Sequence, residues 1–195
     1  MSELLALDMA ILPPPDIRMR AVQVSAGLPP ADFEGLRLDE EHPPHVTLTQ
    51  QFVRAADLDR LLGRVDEVLR GRPPLTIRVT GAARTPGDTV WMAVERSEAL
   101  TELHARLMEA LREFERDGGG ADAFVDGDAR PADVAWVEGY RVHSSFLDYG
   151  PHITLGHAGA APAVEPFTFE AAAIAACHLG RFCTCRRILR GWSLR

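Results

Sequence analysis

The chain has 195 residues, 46% of them hydrophobic, which is enough apolar material for one packed domain or two small lobes to fold without disulfide or metal staples. A formal net charge of -7 argues against broad, salt-driven capture of long nucleic acid and leaves open a small nucleotide or a nucleic-acid chain end. Arginine far outnumbers lysine, and guanidinium is the better fork for phosphate, although such a bias is also ordinary in Ala- and Gly-rich chains.

Leu4 to Leu12 reads as a first strand: Asp8 interrupts it, no basic leader or small-residue cleavage site accompanies it, and it is too short to span a bilayer. Three cysteines, Cys177, Cys183 and Cys185, are an odd number crowded together, which points to a reducing, cytoplasmic setting and no membrane partner. Pro13-Pro14-Pro15 ends the strand, and a short helix from about Asp16 follows. Gly27 to Pro44 is a proline-punctuated loop delivering the chain into an extended segment, His45 to Val53. From Ala55 to Arg70, Leu58, Leu61, Leu62, Val65, Val68 and Leu69 recur at helical spacing. Leu75 to Ala82 and Thr89 to Val94 form a strand hairpin around Pro86-Gly87. Ser97 caps a second amphipathic helix that runs to about Asp117. Residues 118–139, rich in Gly, Asp and Ala, read as a mobile loop or insertion, and order resumes near Tyr140. Three extended segments complete the chain: His152 to His157, Phe167 to Ala176 and Cys183 to Trp192. The two halves look like weak copies, which predicts an α+β fold of two pseudo-symmetric lobes with mostly antiparallel sheets, a cleft between them, and one bilobal domain over residues 1–195.

The chemistry lies in a repeated pentapeptide, Pro44-His45-Val46-Thr47-Leu48 and Pro151-His152-Ile153-Thr154-Leu155. Alternation along a strand places His45, Thr47 and Thr49 on one face and Val46 and Leu48 on the other, and the second copy repeats this with His152 and Thr154. A single His-x-Thr triplet arises by chance, but two in matching strand contexts do not arise so easily. Paired imidazoles across a cleft suit phosphodiester cleavage, because each can take or give a proton near neutral pH. Thr47 and Thr154 can donate to the non-bridging phosphate oxygens as charge builds there.

With these motifs the sequence resembles the 2H phosphoesterase superfamily, and within it the bacterial 2′-5′ RNA ligase-like (LigT-like) cyclic phosphodiesterases. The resemblance covers most of the chain, with Ala10-Ile11-Leu12-Pro13 similar to the end of the family's first strand. It implies a bilobal fold with pseudo-twofold symmetry, no required cofactor or metal, His45 and His152 as catalytic residues, and Thr47 and Thr154 as phosphate ligands. Family members open cyclic phosphates, often leaving a 2′-phosphate.

The expected reaction is therefore metal-independent hydrolysis of a 2′,3′-cyclic phosphate on a nucleotide or RNA end by a monomer, with the roles of the two histidines interchangeable. Alternatives are hydrolysis or ligation of 2′-5′ linkages, and a nucleotide- or RNA-binding module with little turnover. Tyr149, Phe52, Trp91 and Tyr140 are candidate stacking faces for a base, each with core or loop packing as its plainer role. Arg84, Arg130 and Arg141 are candidate phosphate clamps, and Gln50 and Gln51 offer contacts just after the first motif. His42 and His157 match no catalytic position. Cys177-His178 with Cys183 and Cys185 lacks the spacing of zinc knuckles, and Asp122, Asp126 and Asp128 lack the ligand order and closing Glu of a calcium loop.

Overall fold

Strand 1 (β1, Leu4–Leu12) alternates Leu7, Met9 and Ile11 toward the main core with Ala6, Asp8 and Ala10 on the opposite face. Pro15 at the first turn starts α1 (Pro15–Ala26). Next come β2 (Val46–Arg54), α2 (Leu58–Leu69), and the hairpin of β3 (Leu75–Arg84) and β4 (Thr89–Val94). The Ser97 hydroxyl accepts from the Leu100 amide and caps α3 (Glu98–Ala110). The chain closes with α4 (Pro131–His143), β5 (His152–His157), β6 (Phe167–Ala171), β7 (Ala173–Gly180) and β8 (Thr184–Ser193). The computed structural model describes residues 3–30 and 35–195, so residues 31–34 of the proline-rich loop lie outside the described residues.

The eight strands of the described residues join one antiparallel sheet in the order β6-β3-β4-β5-β2-β1-β7-β8. Two four-stranded lobes meet at β5 and β2, which share a single paired position, Val46 with Ile153. Only Ala172 separates β6 from β7, although these strands stand far apart in the sheet order. The sheet must therefore curl until those two strands approach, giving it a concave and a convex face. Leu61, Leu62, Val65, Val68 and Leu69 of α2 and Leu100, Leu103 and Leu107 of α3 bury against Leu48, Ile77 and Met92 of the sheet, which forms the main core.

Two expectations are corrected. The segment 118–139 is not simply a loop: it makes short 3-10 turns at Ala121–Ala123 and Val125–Gly127 and then enters α4 at Pro131. That helix buries little besides Asp133, Val137 and Tyr140, and so leaves only a faint apolar period. Likewise Phe167 to Ala176 is two strands broken at Ala172, and the second of them pairs with β1 in the other lobe. Among the described residues no helix is long and apolar enough to cross a membrane.

Candidate active site

A cavity of about 460 Å³ opens on the concave face and is lined by both His-x-Thr motifs: His45 and Thr47 on one side, His152 and Thr154 on the other. Its rim and floor include Trp91 of β4, Arg130, Trp136 and Tyr140 at α4, and Phe182 before β8. A second groove lies between α2 and α3, but its charged residues are engaged in ion pairs, Arg64 with Glu67 and Glu113, Arg106 with Glu102 and Glu109 with Arg141, and it contains neither motif.

The two histidines are held in the same way. The Nδ1 of His45 lies 3.0 Å from the Pro43 carbonyl and that of His152 lies 2.7 Å from the Gly150 carbonyl, in each case the residue two positions earlier. A carbonyl only accepts, so Nδ1 carries the hydrogen in both rings and Nε2 is left for chemistry. The proline between carbonyl and histidine, Pro44 or Pro151, restricts the residue before it to extended backbone, which turns that carbonyl back toward the ring. Burial pushes both imidazoles below the ordinary histidine value, and the His152 charge pushes His45 further down. Trp91 leans on His152 with ring centres 5.4 Å apart.

A β-bulge in each lobe sets what stands beside each motif. Ala10 pairs with Thr47 and Met9 with Thr49, so Leu48 is the extra residue; Trp91 pairs with Thr154 and Val90 with Gly156, so Leu155 is the extra residue. Each bulge shifts the alternation by one. Gln50 and His157 turn into the cavity wall, whereas Thr49, expected on the same face as Thr47, is buried outside the cavity lining. Gly156 has φ +142°, and a Cβ there would meet the Leu36 carbonyl, so this bulge calls for glycine.

Asp8 is the residue that the sequence reading passed over. Fully buried on β1, its Oδ2 accepts from the Thr47 hydroxyl at 2.8 Å and from the Gln50 amide at 2.7 Å, and it stands 3.8 Å from His45 Nε2. Its Oδ1 has no hydrogen-bond partner among the described residues. Burial pushes this carboxyl up to about 7, and the hydrogen bonds from Gln50 and Thr47 pull it partway back. The signal for it was a single acidic residue within an apolar strand. His104 was also missed. Its Nδ1 donates to the Leu48 carbonyl at 2.6 Å, its Nε2 accepts the Phe146 amide at 2.9 Å, and its ring stacks on Tyr149 at 3.8 Å.

Of the other candidates, Tyr149 borders the cavity but is almost wholly buried, and its hydroxyl donates to the Thr47 carbonyl at 2.9 Å, tying one motif to the approach of the other. Phe52 is not a cavity residue: the bulge turns it under α4, where it packs edge-on against Phe124. Arg84 is also outside the lining, paired with Asp88, and Arg141 is taken by Glu115 at 2.5 Å and the Met108 carbonyl. Arg130 does reach the wall, held by Asp133 and stacked over Phe182. His42 is engaged by Asp39 and Arg186 away from the cavity, whereas His157 lies in the wall with its Nδ1 accepting the Leu36 amide. Asp8, His45 and Cys185 bring ligand-type atoms within 4.8 Å of one another. Burial and the neighbouring Cys177 push the Cys185 thiol up, and Asp8 Oδ2 already accepts from Thr47 and Gln50.

A family model described as the 2′-5′ RNA ligase superfamily matches residues 13–181. No curated protein matches the chain. Among solved structures, TT0787 of Thermus thermophilus superposes with a TM-score of 0.66 at 20% identity, covering 98% of both chains. LigT of Escherichia coli in apo form gives 0.61 at 21% identity over 99% of both chains. LigT complexed with 3′-AMP gives 0.62 at 21% identity over 98% of this chain and 99% of that one, and further LigT structures hold NADP+ and ATP. At these identities the structural likeness speaks to the fold.

Proposed function

The chain belongs to the 2′-5′ RNA ligase superfamily of 2H phosphoesterases, and from that premise we propose that it hydrolyses 2′,3′-cyclic phosphates on nucleotides or RNA ends, using His45 and His152 as an acid/base pair. The observation that carries this reading is the matched anchoring of the two rings: both Nδ1 atoms are committed to backbone carbonyls, and both Nε2 atoms are free to exchange protons at one cavity. One Nε2 takes a proton from water as its oxygen bonds to phosphorus. The other gives a proton to the ribose oxygen as its bond to phosphorus breaks. Thr154, whose hydroxyl has no protein partner among the described residues, donates to a non-bridging oxygen. Thr47 does so once its bond to Asp8 is exchanged for one to phosphate. A nucleotide ligand is supported by the LigT complexes and by the aromatic lining, in which Trp91 beside His152 and the half-exposed Trp136 offer faces for a base. A cavity of about 460 Å³ suits a nucleotide or a chain end better than a duplex.

The test is hydrolysis of the four 2′,3′-cyclic nucleotides in the presence of a chelator, comparing wild type with His45→Ala and His152→Ala, with phosphorus NMR of the product. Chelator-resistant turnover lost in both variants supports the reading. Turnover surviving both substitutions refutes the site, and an inert wild type directs attention to 2′-5′ linkages or to binding without turnover.

A further inference from the structure

The two lobes are related position by position through their bulges, and this relation exposes one chemical difference. Thr47 corresponds to Thr154, and two residues before their partners Ala10 and Trp91 stand Asp8 and Thr89, paired with Gln50 and His157 respectively. One histidine therefore has a buried carboxyl as its neighbour, where the equivalent place in the other lobe holds a hydroxyl. We propose that Asp8 is a positioning residue that breaks the equivalence of the two histidines: it keeps a proton on the His45 side, making His45 the general acid and His152 the general base. The proposal rests on the cyclic-phosphate reading for its chemistry but not for its proton bias.

The surroundings of each histidine favour this division. His45 faces Asp8 from β1 and His152 from β5. Asp8 in turn is faced by Cys185 of β8, Tyr140 of α4, Tyr149 and Cys183, whose acidic groups burial holds in their neutral forms, and none of its hydrogen bonds comes from an arginine. Among the described residues no arginine or lysine is bonded to this carboxyl, and the unpartnered Oδ1 is a place for a proton to reside. In the other lobe Arg37 and Arg130 act on His157 and disfavour its charged form. At His152 burial alone disfavours the charged form, with no carboxyl among the described residues beside the ring to hold a proton there, so its Nε2 is ready to accept. Burial raises the carboxyl to about 7, so a proton in the neutral range has two groups 3.8 Å apart on which to reside, Asp8 and His45.

The step balances. His152 Nε2 removes a proton from water, the water oxygen bonds to phosphorus, the bond from phosphorus to one ribose oxygen breaks, and His45 Nε2 gives its proton to that oxygen. The products are a phosphomonoester, a protonated His152 and a deprotonated Asp8–His45 pair, and exchange with solvent resets both.

The bias is tested first without catalysis, by following the imidazole C–H resonances through a pH titration. In wild type His45 should respond in the pair's upper step. Asp8→Asn should abolish that response and move the His45 midpoint down by about one pH unit or more, leaving His152 in place. Asp8→Thr, which copies the other lobe, should do the same and serves if Asn folds poorly. His45 curves that superimpose in wild type and variant, or a shift confined to His152, overturn the proposal. The second arm uses cyclic phosphates with sulfur replacing the bridging 2′ or 3′ oxygen, because a thiolate departs without a proton. His45→Ala and Asp8→Asn should each lose turnover on the oxygen substrate and regain most of it on the analogue with sulfur in the leaving position, and His152→Ala should regain it on neither. Rescue of His152→Ala instead reverses the assignment and overturns the proposal. Rescue of His45→Ala but not Asp8→Asn reduces Asp8 to a packing role. A wild type inert on every cyclic phosphate would defeat the functional reading, while the resonance titration would still decide whether Asp8 biases the proton.

Discussion

Replacing Asp8 by Asn should stabilise the fold, and by more as pH rises. Burial lifts this carboxyl from 3.8 to about 7. Between those values the folded chain retains a proton that the unfolded chain has released, so the folded state loses stability as pH rises through that window and the loss levels off above about 7. Roughly three pKa units at about 1.4 kcal/mol each set a ceiling near 4 kcal/mol on the cost of carrying the buried carboxyl at neutral pH and above. Asparagine has nearly the same shape and no proton to lose. Relative to wild type, Asp8→Asn should therefore gain little at about pH 4 and a few kcal/mol at about pH 8. Urea unfolding of both proteins across this range measures the difference. Subtraction removes the contribution of His104, His152 and His157, whose depressed values weaken the fold in the opposite direction, as pH falls through the ordinary histidine range. A difference that does not change with pH, or one that favours wild type at about pH 8, would refute the idea that the fold holds an ionisable group against its own solvation.

Tyr149→Phe removes the hydroxyl that links the approach of one motif to the Thr47 carbonyl, and should cost about 1 kcal/mol, read as a fall of about 2–4 °C in a thermal melt. Gly156→Ala places a Cβ against the Leu36 carbonyl at a left-handed φ and should destabilise by about 2 kcal/mol or more; an unchanged urea midpoint would mean that the bulge does not need glycine. Phe52→Ala should cost about 3–5 kcal/mol in stability, because the side chain is core, and a milder Phe52→Leu should leave the KM for a cyclic nucleotide where it was; a large KM change in the milder variant would return Phe52 to the cavity.

The local, repeated features were legible from residue order. Pro44-His45-Val46-Thr47 and Pro151-His152-Ile153-Thr154 carry their chemistry in residue type and in the period of two of a strand, and the leucines of α2 and α3 carry theirs in helical spacing. The α+β class follows from the order of those elements. What stood beside each motif could not be read this way. A bulge at Leu48 or Leu155 leaves no compositional mark, yet it reverses the face of every later residue on the strand, removing Thr49 from the cavity face and bringing in Gln50 and His157; Phe52 turns to that face as well, where α4 covers it. Asp8 was visible only as an interruption in an apolar run, because its meaning depends on Thr47 and Gln50, which reach it across a strand pair from some forty positions away. Helix α4 was obscured for a related reason: a charged Asp133 sits on its buried side while Trp136 and Val142 are exposed, so the periodicity that betrays a packed helix is weak there. Residue order thus settles which groups can move protons, since that is a property of the side chains, whereas the inequality of the two histidines arises from contacts between distant strands and exists only once the sheet has formed.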